Sequence, residues 1–138
     1  MKPNTAFFFG YGEDNFGEPR DINESLTINI KNYDGIGMAL REGVDFKYYD
    51  QNIIRGTIFV DRDATARLEI KTVASCGTPM ESHRLDLKAG KNSFNQILPV
   101  FTRSPLKEIC IVILRGDNPK FLEGIFQILD LEFENFKN

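Results

Sequence analysis

The sequence predicts a single all-β domain. Twelve Phe, no Trp and short runs rich in Val, Ile and Thr favour strands, because branched and aromatic side chains pack well on a pleated surface. Alternating runs of roughly four to eight residues are separated by Gly, Pro, Asn and Asp at about ten-residue spacing, which is typical of a sandwich or barrel. No apolar stripe keeps a helical period over three turns. With 138 residues, 41% of them hydrophobic, the chain can fill one core, so we expect one domain over residues 1–138.

The first clear strand begins at Leu26, where apolar residues alternate with polar ones through Ile30. It ends at the sequence Asn-Tyr-Asp-Gly over residues 32–35, a turn signal in which Gly tolerates positive φ. A second, short strand is predicted at residues 37–41 and a third at residues 53–60. Between them, residues 45–52 are predicted to form a polar, aromatic loop.

The next strand, residues 66–73, has two distinct faces. Leu68 and Ile70 point to one side, and Arg67, Glu69 and Lys71 point to the other. This pattern predicts one buried face and one face in contact with water. A strand at residues 83–87, a tight turn at 89–92 and a strand at 94–100 follow.

Residues 109–114 are apolar on both faces, which predicts a central strand covered on each side. Cys110 lies inside this run, and we expect a buried free thiol. With only Cys76 besides, the chain has no disulfide framework. A closing strand is predicted at residues 124–133.

The order in which these last segments follow one another is similar to that in a known family of β-sandwich domains. A strand at Leu85, the turn Gly90-Lys91-Asn92, the pair Leu98-Pro99, the apolar strand at 109–114 and a final strand containing Asp130 follow one another. This series resembles the C-terminal half of galactose-binding-like jelly rolls, especially the carbohydrate-binding modules attached to plant-polysaccharide hydrolases. The resemblance implies a jelly-roll β-sandwich of two antiparallel sheets that binds a polysaccharide such as a β-glucan without catalysis. It also implies secretion as part of a larger protein with a catalytic module.

The resemblance further implies a structural calcium ion. Many members of the family hold calcium between an acidic residue near the N-terminus and an Asp of the last strand. Glu13 or Asp14 and Asp130 stand at those positions here. Calcium takes six to eight oxygen ligands, so carbonyl oxygens would have to complete the set. The alternative, in which Asp130 faces water or caps a hydrogen-bond network, stays open.

Sugar-binding modules of this kind commonly stack a sugar on Trp, which this chain lacks. Tyr48 or Tyr49, with Arg55 nearby, is the candidate platform, because a ring accepts the apolar face of a sugar while polar groups bind its hydroxyls. The polar row Arg67, Glu69 and Lys71 is a second candidate, although an ordinary solvated face has the same pattern. Further candidates are Gln127, expected on the same surface as that row, and Tyr33 and Asn118 in loops at the rim.

Other functions are less well supported by the residues. A net charge of -3 without a basic cluster argues against nucleic-acid binding, and no apolar run is long enough to cross a bilayer. The single His83 is interpreted as a surface residue, so we expect no enzyme and rank a small hydrolase last. We expect a monomer. The main alternative is a protein-interaction or structural accessory domain, with an exposed apolar patch from residues 7–9, Phe133 and Phe136.

Overall fold

The computed structural model describes residues 5–10, 19–21, 23–30, 34–40, 51–72, 81–98, 106–117 and 120–136. The regular elements within these ranges are β-strands. In chain order they are β1 (Thr5–Gly10), β2 (Pro19–Asp21), β3 (Leu26–Asn29), β4 (Gly35–Leu40), β5 (Gln51–Val60), β6 (Ala64–Thr72), β7 (Glu81–Leu87), β8 (Gly90–Leu98), β9 (Leu106–Leu114) and β10 (Glu123–Phe136). In the described part of the chain, no helix has the length and apolarity needed to cross a membrane.

The strands form two antiparallel sheets. One has six strands in the order β2-β1-β4-β9-β6-β7, and the other has four in the order β3-β10-β5-β8. Every described pairing is antiparallel. The predicted sandwich of two antiparallel sheets is therefore confirmed. Strands β1 and β2 were not predicted, because their short runs lack a clear alternation.

The core lies between the two sheets, where alternate residues of each strand point inward. On β6 the inward side chains include Leu68 and Ile70, which are fully buried, and on β5 they include Ile54 and Ile58. Burying each such side chain contributes roughly 1.5–3 kcal/mol. The period-two pattern thus explains why one face of each sheet turns inward.

Strand β9 lies in the middle of the six-stranded sheet, between β4 and β6. Its inward residues are buried in the core, and Cys110 and Val112 on the opposite face are buried as well. The prediction of a central strand covered on both sides is confirmed. Cys110 is a buried free cysteine, also as predicted, and Cys76 lies outside the described residues.

A β-bulge in β10 decides which face Asp130 occupies. Ile128 lies opposite Ile58, but the next paired residue, Asp130, lies opposite Thr57, so the extra residue between them shifts the register. A Cβ atom on Gly56 would lie 2.5 Å from the carbonyl oxygen of Asp130. Glycine is therefore needed where the bulged strand approaches β5, and the bulge turns Asp130 onto the exposed face.

The turn predicted at residues 89–92 is shorter in the structure, because β8 already begins at Gly90. Gly90 has a φ of 110°, which favours glycine. The Lys88 N–H donates a 2.9 Å hydrogen bond to Oδ1 of Asn92, and Nδ2 of Asn92 donates a 2.8 Å hydrogen bond to the Lys88 carbonyl oxygen. These bonds hold the short connection that takes the chain from the six-stranded to the four-stranded sheet.

Candidate functional site

The predicted binding residues are divided between two outer faces of the sandwich. Arg67, Glu69 and Lys71 lie on β6 of the six-stranded sheet, on the face turned away from the core. Arg55 on β5 and Gln127 on β10 belong to the four-stranded sheet. Tyr33, Tyr48 and Tyr49 lie outside the described residues, as does Asn118.

The expectation that Gln127 shares a surface with the Arg67 row is wrong. Strand β10 pairs with β3 and β5, whereas β6 pairs with β7 and β9, so the two strands lie in different sheets. The amide of Gln127 instead donates a 2.7 Å hydrogen bond to the carbonyl oxygen of Asn23. Pairing partners are set by contacts distant in sequence, which alternation along one strand does not reveal.

The polar row on β6 is not the solvated face that its sequence predicts. Glu69 is only 1% exposed, and Glu108, which lies opposite Lys71 on β9, is 3% exposed. Lys71 forms an ion pair with Glu108, with 3.5 Å between Nζ and Oε1. Burial raises the pKa of the Glu69 carboxyl, while the charges of Lys71 and Arg67 oppose that rise. Glu69 therefore offers no surface to a ligand.

Cys110 extends this buried polar group. Its Sγ lies 3.6 Å from Oε1 of Glu108, with the thiol as donor. Burial, together with the nearby Glu108 carboxylate, raises the pKa of the thiol, because both disfavour the thiolate. Cys110 is therefore unsuited to act as a nucleophile.

An open pocket of about 290 Å³ lies where this row reaches the end of the sheet. The register explains its position: Gly35, the first residue of β4, lies opposite Leu114 at the end of β9, and Leu114 also lies opposite Thr65 on β6. The chain segments just outside β4 and β9 therefore meet beside Arg67. The pocket is lined by Asp34, Arg67, Leu114, Arg115, Gly116 and Asp117.

Asp34 and Arg115 connect the two segments that form the pocket. The Nη2 atom of Arg115 donates to Oδ1 of Asp34 at 3.0 Å, and the Arg115 backbone N–H donates to the Asp34 carbonyl at 2.8 Å. Gly116 follows with a φ of 60°, the left-handed conformation that favours glycine. The Arg115 carbonyl accepts a 2.7 Å bond from the backbone N–H of Phe121, whose side chain is fully buried. The loop is thereby anchored to the core.

This pocket presents donors and acceptors side by side. Guanidinium groups donate several hydrogen bonds, and carboxylates only accept them at neutral pH. A ligand with adjacent hydroxyl groups, each both donor and acceptor, matches such a lining. Of the predicted residues that the structure describes, only Arg67 lies here. Asp34, Arg115 and Asp117 were missed, although each of the two Asp residues adjoins a predicted rim residue, Tyr33 and Asn118 respectively.

A second pocket, of about 280 Å³, opens on the outer face of the four-stranded sheet. Arg55 and Asp130 both contribute to its lining, so the predicted calcium ligand shares this pocket with a guanidinium group, which disfavours a cation. Among the described residues, no group of three or more His, Cys, Asp or Glu can hold a metal ion. Glu13 and Asp14 lie outside them, so the calcium site stays a prediction.

His83 is not the plain surface residue that the sequence indicated. It pairs with Leu68, so it lies on the core-facing side of the edge strand β7, and it is half-buried. The adjacent Ser82 pairs with Glu69 and points to the opposite face. Neighbouring residues of β7 therefore do not assemble a nucleophile and base.

No family model and no curated protein matches the sequence. Solved structures match the fold at low identity. A structure described as "CBM4 structure and function" has a TM-score of 0.60 at 14% identity, covering 80% of this chain and 82% of that one. The enzymatically active domain of tailspike protein 4 from bacteriophage CBA120 has a TM-score of 0.57 at 10% identity, covering 81% of this chain but 15% of that one.

A third match contains a catalytic module. The CBM22-1-GH10 modules of Clostridium thermocellum xylanase 10B, complexed with xylohexaose, match with a TM-score of 0.50 at 11% identity. That match covers 99% of this chain and 27% of the xylanase chain. The predicted jelly-roll sandwich is confirmed: the chain shares the fold of carbohydrate-binding modules.

Proposed function

We propose that this protein is a non-catalytic carbohydrate-binding domain whose site is the pocket around Arg67, Asp34 and Arg115. The observation that carries the proposal is the pairing of guanidinium and carboxylate groups in an open pocket at the end of the six-stranded sheet. Sugar hydroxyls are bound well by such planar, bidentate groups. The fold shared with a CBM4 structure and with the CBM22 module of a xylanase supports the same function.

The ligand class follows from the lining. Among the described residues that line the pocket none is aromatic, and Leu114 is the apolar side chain. Hydrogen bonds therefore supply most of the affinity, and each contributes only about 1 kcal/mol net. We propose a hydroxyl-rich polysaccharide of plant or microbial walls, such as a β-glucan or a xylan, bound with modest affinity.

The biological role proposed is targeting. A weakly binding module joined to a hydrolase raises the local concentration of the enzyme at its substrate. The xylanase match, in which a CBM22 module accompanies a GH10 module, supports this arrangement. We accordingly propose that the domain acts as a monomer within a secreted protein.

Titration calorimetry with soluble xyloglucan, β-glucan, mannan, xylan and pectin tests the proposal. Binding to at least one polymer is expected, and Arg67→Ala should weaken it about tenfold. Lys91→Ala is the matched control, because Lys91 is exposed on the other sheet. Absence of binding to all five polymers at millimolar protein concentration would contradict the function.

One observation favours the alternative, a protein-interaction domain. Ile97 is 56% exposed and Ile125 is 38% exposed, both on the outer face of the four-stranded sheet. Phe133 and Phe136 lie in β10 and residues 7–9 in β1, but their side chains are outside the described set. Under this alternative, Ile97→Asp should abolish association with the partner protein. Under the carbohydrate-binding proposal, the same variant should leave sugar binding unchanged, because Ile97 lies on the other sheet.

A further inference from the structure

Strand β7 presents an exposed charged pair next to the proposed sugar pocket. Arg84 Nε donates a 2.8 Å hydrogen bond to Oδ1 of Asp86, and their side chains are 65% and 68% exposed. Arg84 lies directly opposite Arg67, and Asp86 lies opposite Thr65. Directly opposed residues of an antiparallel pair point to the same face, so this pair shares the outer face of the sheet with Arg67.

Among the described residues, strand β7 gives one direction in which a ligand can extend beyond the pocket on this face. Along β6, the next outward residue is Glu69, which is buried, and Glu108 and Cys110 beside it on β9 are buried too. Across the strands, the half-buried Arg67 lies between the pocket and the exposed Arg84 and Asp86, and Thr65 beside it is buried. Adjacent strands are about 4.8 Å apart, so the path from β9 to β7 spans about 10 Å.

The pairing of Arg67 with Arg84 is itself unusual. Like charges directly opposite each other destabilise a sheet. Local rules of this kind are broken mainly at functional sites. The Arg84–Asp86 pair contributes little stability of its own, because both side chains are well exposed.

We propose that Arg84 and Asp86 form a second sugar subsite, and that the glycan runs across the strands from the pocket, over Arg67, to β7. The inference rests on the proposed function and specifies how a longer ligand lies. A guanidinium and a carboxylate held together offer a donor and an acceptor to neighbouring hydroxyls, as Arg115 and Asp34 do at the other end. A disaccharide occupies only the pocket, whereas a longer oligosaccharide reaches both the pocket and the subsite on β7.

Calorimetry with cellobiose, cellohexaose, xylobiose and xylohexaose separates the two subsites. Arg84→Ala and Asp86→Ala should each weaken hexasaccharide binding about fivefold and leave disaccharide binding as in the wild type. Arg67→Ala should weaken the binding of both disaccharides and hexasaccharides, and Lys91→Ala should weaken the binding of neither. Thermal melting of each variant verifies folding, which the exposed positions of Arg84 and Asp86 favour.

Three results would overturn the inference while leaving the proposed function intact. The first is unchanged hexasaccharide binding in both β7 variants. The second is an equal loss for both ligand lengths, which would place Arg84 and Asp86 at the pocket rather than at a separate subsite. If the wild type binds one of the five polymers but none of these four sugars, the inference is overturned and the proposed function stands. If it binds neither the polymers nor the sugars, both are contradicted.

Discussion

Arg115 and Asp34 are joined by two hydrogen bonds, one between side chains at 3.0 Å and one between backbones at 2.8 Å, although 81 residues separate them in the chain. The pair connects the segment before β4 with the segment after β9. It therefore ties the shape of the pocket to the pairing of the two strands.

Arg115→Ala should affect binding much more than stability. The Asp34 side chain is 83% exposed, and such ion pairs contribute about 0–1 kcal/mol. The loop retains its backbone bonds to Asp34 and Phe121, so it should keep its shape. We expect about tenfold weaker glycan binding by calorimetry and less than about 1 kcal/mol lost in urea unfolding. A loss confined to stability would place Arg115 outside the site.

Asp61→Ala should destabilise the four-stranded sheet by about 1 kcal/mol at neutral pH. Oδ1 of Asp61 accepts a 2.9 Å bond from the Ile125 backbone, and the Asp61 N–H donates to the Ile125 carbonyl at 3.2 Å. The first bond is lost in the variant. Urea unfolding at pH 7 measures the difference.

The same carboxylate should make this difference depend on pH. Burial acts to raise the pKa of Asp61, but the bond from Ile125 and the charge of Arg62 outweigh it and lower the pKa. A lowered folded pKa gives stability that is present above the unfolded value, about 3.9, and is lost as the pH falls through the folded value. The difference in unfolding free energy between the wild type and Asp61→Ala should therefore become smaller at acidic pH. An equal gap at pH 7 and pH 2 would contradict this assignment.

Glu69→Gln should stabilise the protein at neutral pH. Burial raises the pKa of Glu69, so the folded state takes up a proton more readily than the unfolded state. The stability linked to this group is present below the unfolded pKa and is lost as the pH rises through the folded one. Wild-type and variant melting temperatures should diverge as the pH rises from 4 to 8. Glu123→Gln, at an exposed position, is the control and should show no such divergence.

Gly56→Ala should cost about 2 kcal/mol or more, because the added Cβ meets the Asp130 carbonyl oxygen at 2.5 Å and Leu131 at 3.0 Å. Both contacts lie beside the bulge in β10, so relief requires that strand to move. Asn95→Ala, on the exposed face of the adjacent strand β8, should change stability by less than about 0.5 kcal/mol. Equal unfolding midpoints for the two variants would argue against the close packing at the bulge.

Cys110 should be unreactive in the folded protein. Its side chain is fully buried and its thiol pKa is raised, so both access and thiolate formation are suppressed. In a Cys76→Ser background, Ellman's reagent should label no thiol under native conditions and one thiol in guanidinium chloride. Rapid native labelling would show that the face of the sheet over Cys110 opens readily.

Alternation along the chain was enough to determine the strands of the second half, the core face of β6 and the covered position of β9. These features depend on a period of two and on which residues avoid water, and both are local properties of the sequence. The order of the closing segments also indicated the jelly-roll fold.

Only the tertiary structure decided what the outward residues do. Strand pairing is set by contacts distant in the chain, so no pattern within β6 shows that Glu69 is covered while Arg67 opens into a pocket. The separation of Gln127 from that row and the meeting of Asp34 with Arg115 have the same cause. A sequence shows which side chains leave the core, but the sheet order determines which of them meet.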